Sequence, residues 1–353
     1  MNLGSRIIAG VMVCAAFACG DRDAELGQQF RAAASALVDQ RVPGSKKVVQ
    51  GRDGWLLHWG ELKYLNAGSL IGEHATQANA MAPPEYADPV PAIVDFDRQL
   101  KERGIEMYFI PVPVRPAIFP ESVLGPEPFA GRKVIPNLDL ATQELLSALR
   151  ESGVLVIDVT PVFLENRKSR EHGAVFYSSE GHWTPYGMSL AVRILAPEIK
   201  KKSWYEAVPK HEYNERWFTR PHRGSLNKEY EMATGTEPEK DQIPVRRIRL
   251  KTPEGTEDLE LQNPESPVIV MGDSNTVFWG KWGSALPHHL AFELGFPVDV
   301  LSTTGGGANQ TRLNLARRIQ AEPGYLDGKR VVIWCFSARA FTNTPEGWLP
   351  IPL

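Results

Sequence analysis

Five short apolar runs recur along the chain, at residues 107–114, 154–159, 268–271, 298–301 and 331–336, each of a length that suits a buried strand. Between and before them, apolar residues return at helical spacing. Ile93, Phe96 and Leu100 form one stripe, closed by Gly104, and Leu138, Ala141, Leu145 and Leu149 form another. Strands apolar on both faces, alternating with such helices, predict an α/β fold with a mainly parallel sheet between two helical layers. The stretch 200–266 breaks the rhythm. It is polar throughout, basic at Lys200-Lys201-Lys202 and Arg246-Arg247-Ile248-Arg249 and acidic over 254–265. It reads as a solvated insertion with irregular strands, or as a surface for an anionic polymer or partner. No internal repeat and no dividing linker is visible.

The first apolar run is of another kind. Arg6 precedes residues 7–17, an eleven-residue apolar stretch that ends in Ala16-Phe17-Ala18-Cys19. A positive residue, a short apolar core and small residues before a cut are the marks of a secretory signal. We therefore expect residues 1–18 to be a signal peptide and 19–47 a tether followed by a helix. A cut after Ala18 leaves Cys19 first, as in a bacterial lipobox, so a lipid anchor at Cys19 and a periplasmic location are expected. No run reaches the roughly 18–20 apolar residues that span a bilayer, which excludes a polytopic membrane protein.

Composition narrows the function classes. The 353 residues are 42% hydrophobic and 23% charged, with a net charge of −3, so nucleic acid has no electrostatic claim as a partner. Two of the three cysteines, Cys14 and Cys19, lie in the leader, leaving Cys335 alone inside an apolar run, where a buried inert thiol is expected. His288 and His289 are adjacent and point apart on a helix, with no ligand framework around them, so neither a metal nor a cofactor is called for.

Three segments could carry chemistry. The run Val268-Ile269-Val270-Met271 leads straight into Gly272-Asp273-Ser274-Asn275, placing a serine where ligands bind in open α/β sheets, at the carboxyl end of a strand. The segment Glu180-Gly181-His182-Trp183-Thr184-Pro185 sets a carboxylate and an imidazole on one loop, just before a helix start with Thr184 as N-cap and Pro185 in the first turn. A serine nucleophile needs a base, and that base needs a carboxylate to fix its tautomer. The third is Thr303-Thr304-Gly305-Gly306-Gly307-Ala308-Asn309-Gln310, directly after the 298–301 run. It lacks the last glycine of a dinucleotide fingerprint and the acidic residue about 20 positions on. It suits an oxyanion-hole loop, with Gly306 and Asn309 as contributors, or a plain tight turn.

Together these motifs resemble the AlgX/AlgJ-like alginate O-acetyltransferases, exported relatives of the SGNH hydrolases. The likeness runs from about residue 48 to the end. It begins with Gly51-Arg52-Asp53-Gly54-Trp55-Leu56, continues through Ile110-Pro111-Val112-Pro113-Val114-Arg115 and Ile118-Phe119-Pro120-Glu121, and includes the late strand followed by Arg339. The histidine motif precedes the serine, the reverse of ordinary SGNH hydrolases and a mark of this circularly rearranged branch. The resemblance implies a three-layer α/β/α SGNH (flavodoxin-like) domain over 48–353, with a polar insertion at about 200–266. One departure stands out: the family shows Asp-x-His-Trp where this chain has Glu180, one methylene longer, which calls for a shifted loop.

The implied function is an exported O-acyltransferase that acetylates polysaccharide hydroxyls. Ser274 would be the nucleophile, His182 the base and Glu180 its orienter, with the Ser274 N–H, Gly306 and Asn309 holding the oxyanion. Arg115, Arg339 and Trp279 are candidate polymer contacts. The resemblance also implies a membrane-bound O-acyltransferase as the source of acetyl groups. Two other readings stay open: an acetyl esterase using the same residues, since water and a sugar hydroxyl compete for one intermediate, and a non-catalytic polysaccharide-binding relative.

Overall fold

The computed structural model describes the backbone of residues 5–353 and the side chains of residues 22–353 other than that of residue 308. The expectations placed on residues 1–19, a signal segment and lipid attachment at Cys19, fall outside the described side chains. Among the described residues, no helix is long and apolar enough to cross a membrane.

In chain order, α1 (Ser5–Val38) is followed by the short antiparallel pair β1 (Val48–Gln50) and β2 (Leu56–His58), then α2 (Trp59–Leu65) and α3 (Pro89–Lys101). The sheet begins with β3 (Glu106–Val112); α4 (Leu140–Glu151), β4 (Leu155–Val156) and α5 (Pro185–Lys200) follow. The insertion holds β5 (Tyr213–His222), α6 (Ser225–Thr234) and β6 (Asp241–Thr252). The chain then returns through β7 (Val268–Gly272), α7 (Ser274–Val277), α8 (Leu286–Leu294), β8 (Asp299–Ser302), α9 (Gly307–Ala321) and β9 (Val331–Ser337). The central sheet has the order β8-β7-β9-β3-β4, and every pairing in it is parallel.

Alternation along the strands divides the core into two layers, because successive side chains of a strand point to opposite faces. In β9, Val332, Trp334 and Phe336 join one apolar cluster with Ile93, Phe96 and Leu100 of α3 and Leu145, Leu146 and Leu149 of α4. Val331, Ile333 and Cys335 join the other, with Leu190, Leu195 and Ile199 of α5 and Leu286, Leu290 and Leu294 of α8. This is the expected three-layer α/β/α arrangement. Helix starts follow the sequence signals as well. Asp88 accepts from the Val90 N–H at 2.8 Å to cap α3, Asp139 accepts from the Thr142 N–H at 3.2 Å to cap α4, and the Thr184 hydroxyl accepts from the Gly187 N–H at 3.2 Å to cap α5.

Three expectations need correction. The first strand stops at Val112 rather than 114, because Pro113 has no N–H to donate and Pro116 sits in the first turn of a short helix. The run 154–159 pairs only at Leu155–Val156; beyond it the Asp158 carboxylate accepts from the Thr160 N–H at 2.9 Å and starts a helix at Thr160–Glu165. The insertion is not irregular. Its strands β5 and β6 are 10 and 12 residues long and pair antiparallel in continuous register, from Tyr213 opposite Leu250 to His222 opposite Asp241.

Candidate active site

The serine turn is built by close backbone approach. Strand β7 is wholly buried, and at its last residue, Gly272, an added Cβ would lie 1.6 Å from the Cys335 carbonyl oxygen of β9. Only glycine lets the two strands meet there. Asp273 then caps α7: its Oδ1 accepts from the Asn275 N–H at 2.8 Å and from the Asn275 side-chain amide at 3.0 Å. The other oxygen, Oδ2, accepts from the Ser337 N–H at 3.0 Å and ties the turn to the end of β9. Ser274 opens α7, half-buried, at the carboxyl edge of the sheet.

The histidine loop is fastened over this serine by two indoles. Trp183 Nε1 donates to the Asn275 carbonyl at 2.7 Å, and Trp279 Nε1 donates to the Trp183 carbonyl at 2.8 Å. The His182 ring lies flat on Phe278, with centroids 3.8 Å apart and planes 13° apart. In this position His182 Nε2 is 2.9 Å from Ser274 Oγ, and His182 Nδ1 is 2.6 Å from Glu180 Oε1. Because a carboxylate can only accept, the neutral ring carries its proton on Nδ1 and leaves Nε2 free to accept from the serine hydroxyl.

Glu180 is fully buried. Its Oε1 accepts from His182 Nδ1, from the His182 N–H at 3.2 Å and from the Ser225 hydroxyl at 2.8 Å; its Oε2 accepts from His222 Nε2 at 2.8 Å and from the Ser225 N–H at 3.0 Å. Burial alone pushes this carboxyl upward. The hydrogen bonds from His182 and His222, the nearby imidazole charge and the Ser225 hydroxyl outweigh it and hold the group well below the usual carboxylate range. Glu180 is therefore ionised at neutral pH. The longer side chain reaches the insertion, where His222 and Ser225 meet its carboxylate. Those two residues were missed from the sequence, because no spacing links positions 222 and 225 to position 180. Gly224, just before Ser225, permits the approach: an added Cβ there would stand 2.0 Å from the Ser179 carbonyl oxygen.

A cavity of about 310 Å³ opens beside the serine, lined by Ser274, Gly306, Gly307, Asn309, Arg339 and Glu346 among others. Ser274 opens α7 and Gly307 opens α9, and the first-turn N–H groups of a helix have no acceptor within it. Two expected donors already have partners. The Asn309 amide donates to the Gly347 carbonyl at 2.6 Å while its oxygen accepts from Arg312 at 2.5 Å, and the Gly306 N–H closes a turn onto the Thr303 carbonyl at 3.2 Å. Gly306 and Asn309 shape the cavity wall; the Gly306 N–H is committed to its turn, while the Asn309 amide has a second N–H beyond the one given to Gly347.

The three candidate polymer contacts separate clearly. Arg115 is buried and paired with Glu61 through Nη2 at 3.1 Å; the same nitrogen donates to the Leu56 carbonyl at 2.8 Å, and Nη1 donates to the Tyr177 carbonyl at 3.2 Å. It braces the floor under the histidine loop and is closed to a polymer. Trp279 is also buried, under the loop it anchors. Arg339 is the exception: it is half-buried, lines the cavity, and has no ion-pair partner among the described residues. Cys335 is a free buried thiol that burial pushes well above its ordinary value, an inert core residue. Among the described residues no group of three or more His, Cys, Asp or Glu side chains is arranged to hold a metal ion.

Comparison with known proteins agrees with this architecture. The chain is 24% identical over 183 residues to the probable alginate O-acetylase AlgJ of Pseudomonas aeruginosa, a match covering 52% of this chain and 41% of that protein. The first relatives it matches are thus spanned over less than half their length. The AlgJ of Pseudomonas putida is 26% identical over 322 residues, covering 89% of this chain and 72% of the relative. The solved O-acetyltransferase domain of Pseudomonas putida AlgJ superposes with a TM-score of 0.61 at 20% identity, over 84% of this chain and 93% of that domain. Residues 48–338 match the family described as SGNH hydrolase-like domain, acetyltransferase AlgX, and the chain belongs to that family.

Proposed function

We propose that this protein is an exported acyltransferase that moves an acetyl group onto polysaccharide hydroxyls, with residues 48–353 as its catalytic unit. The observation that carries the reading is the continuous line from Glu180 through His182 to Ser274, with contacts of 2.6 and 2.9 Å. In the first step the Ser274 oxygen attacks the acetyl carbonyl of the donor while His182 Nε2 takes the hydroxyl proton. The C–O bond to the leaving group breaks, the imidazolium returns that proton to it, and acetyl-Ser274 remains. A sugar hydroxyl then gives its proton to His182 and attacks the acetyl carbon, and Ser274 departs with the proton restored. The N–H groups of Ser274 and Gly307 are the donors best suited to the tetrahedral oxyanion, in place of the committed Gly306 N–H. Arg339 meets the acceptor. The names of the relatives favour a polysaccharide acceptor and acetyl as the group transferred. The N-terminal apolar run supports export to the periplasm, with residues 1–18 as the signal and Cys19 as a lipid attachment point. A membrane-bound O-acyltransferase would deliver the acetyl group there.

The test is to incubate the full chain with an activated acetyl ester, with and without oligosaccharides. A gain of one acetyl mass that Ser274→Ala abolishes is expected, and acetylated sugar in excess of free acetate. Acetate in excess would make the protein an esterase, and an adduct that survives Ser274→Ala would remove the serine from the reaction.

A further inference from the structure

Of the five hydrogen bonds accepted by Glu180, His182 supplies two and the insertion supplies three, from Ser225 and His222. Ser225 has an evident structural role, since it opens α6. His222 has none of that kind. It is the last residue of β5, and its ring is held against Trp279 at 4.9 Å between centroids and edge-on to Phe278 at 6.1 Å. Phe278 is also the ring on which His182 lies. One carboxylate thus bridges two imidazoles, one on each oxygen, and one phenyl ring touches both.

The arrangement constrains the carboxylate more tightly than an ordinary serine–histidine–carboxylate set requires. A glutamate has one more rotatable bond than an aspartate, so its plane needs fixing from the far side if Oε1 is to stay 2.6 Å from His182 Nδ1. The His222 N–H at 2.8 Å on Oε2 provides that fixing, in a site where an unmatched charge would be costly. The charged groups facing His222 are Glu180 and, from the opposite register position on β6, Asp241, whose carboxylate is held by the Ser179 hydroxyl.

We infer that His222 is a positioning residue for acyl transfer: acting only through Glu180, it holds the carboxylate in the plane that keeps the His182 proton on Nδ1. This rests on Ser274, His182 and Glu180 being the reactive line. It also gives the polar insertion a task, since β5 and the turn at Gly224 deliver His222 and Ser225 to the buried acid.

The test uses the full chain, an activated acetyl ester and two variants. His222→Phe keeps a ring between Trp279 and Phe278 but has no donor; His222→Gln keeps a donor. Single-turnover acetylation of Ser274 is followed with the low-field proton resonance of His182 Nδ1, assigned by its loss in His182→Gln. We expect His222→Phe to slow acetylation roughly ten- to a hundredfold at saturating ester, the scale of one charge-assisted hydrogen bond. KM should stay within about twofold while the resonance moves or broadens by exchange. His222→Gln should stay within a few-fold of wild type. Wild-type rates and an unmoved resonance in His222→Phe overturn the inference alone, provided Ser274→Ala is silent. A slow His222→Phe whose resonance is unmoved and whose melting temperature has fallen makes the residue structural and also overturns it. Acetylation that persists in Ser274→Ala overturns the underlying reading, and this inference with it.

Discussion

Replacing Glu180 by glutamine is the sharpest perturbation the site offers, because both carboxylate oxygens accept and none of their partners can give way freely. An amide must point its NH2 at one set of donors. If it faces His222 and the Ser225 N–H, it confronts a backbone donor with no alternative tautomer, leaving buried groups unpaired at about 1–3 kcal/mol. If it faces His182, the ring must move its proton to Nε2, and Ser274 loses its base. In either orientation the imidazolium formed during attack loses an adjacent negative charge. At roughly 4 Å between charge centres and an effective dielectric near 20, that loss is about 4 kcal/mol. The expected outcome is a fall of about 10³–10⁴ in the rate of acetyl-Ser274 formation, comparable with loss of the carboxylate in other serine triads. Rapid-mixing release of a chromogenic phenol from its acetyl ester measures it directly. Stability gives a second readout with a definite sign. The Glu180 carboxyl is held below its unfolded value, so its contribution is fully present above the unfolded pKa, about 4.3, and is lost as pH falls toward the lower folded value. The denaturation midpoints of wild type and Glu180→Gln should therefore differ most at neutral pH and converge below about pH 4. A variant within threefold of the wild-type rate would remove Glu180 from the reaction.

Four other substitutions separate structure from chemistry. Gly272→Ala places a Cβ 1.6 Å from the Cys335 carbonyl and should destabilise by more than about 4 kcal/mol, or yield no folded protein, in a denaturant melt. Arg115→Met strands Glu61 in the interior and should cost about 3–5 kcal/mol. Arg339→Met should melt like wild type yet raise KM for an anionic oligosaccharide roughly tenfold, the scale of one hydrogen bond to a charged group; equal melting losses in the two arginine variants would contradict this assignment. Asn309→Ala should lower stability by about 1–3 kcal/mol through the bonds lost to the Gly347 carbonyl and Arg312, with Ser274 acetylation changed by less than about threefold; a hundredfold loss would place the second Asn309 N–H on the oxyanion.

What the sequence disclosed and what it hid follow one physical line. The strands at 268–271 and 331–336, the helix start at Thr184-Pro185 and the serine turn after Met271 all rest on local signals: apolar runs, a capping hydroxyl, a glycine before a tight turn. Those survived into three dimensions nearly unchanged. Arg115 and Trp279 are candidate polymer contacts in the sequence, yet each is buried under the histidine loop by partners distant in the chain, Glu61 for one and the Trp183 carbonyl for the other. Burial is a property of the whole fold and leaves little trace at a single position. The same holds for His222, which stands 42 positions along the chain and reaches Glu180 only because the segment between them folds back on the sheet edge.

The site is thus assembled from two halves with different sources of rigidity. The serine half belongs to the sheet: Gly272 is locked against β9, and Asp273 ties the turn to Ser337. The histidine half is a loop, and loops hold a side chain in place only as well as their anchors allow. Here the anchors are the crossed indoles of Trp183 and Trp279, the stacked ring of Phe278, and the buried carboxylate with donors on both oxygens. The indoles and Phe278 join the loop to the segment just after the serine, so they fix how far His182 stands from Ser274. The carboxylate joins the same loop to the insertion, so it fixes how the ring turns. Distance and tautomer are therefore controlled by different parts of the chain. A change in the insertion, although far along the chain from Ser274, should alter the orientation and tautomer of His182 before it alters the 2.9 Å approach of the ring to the serine.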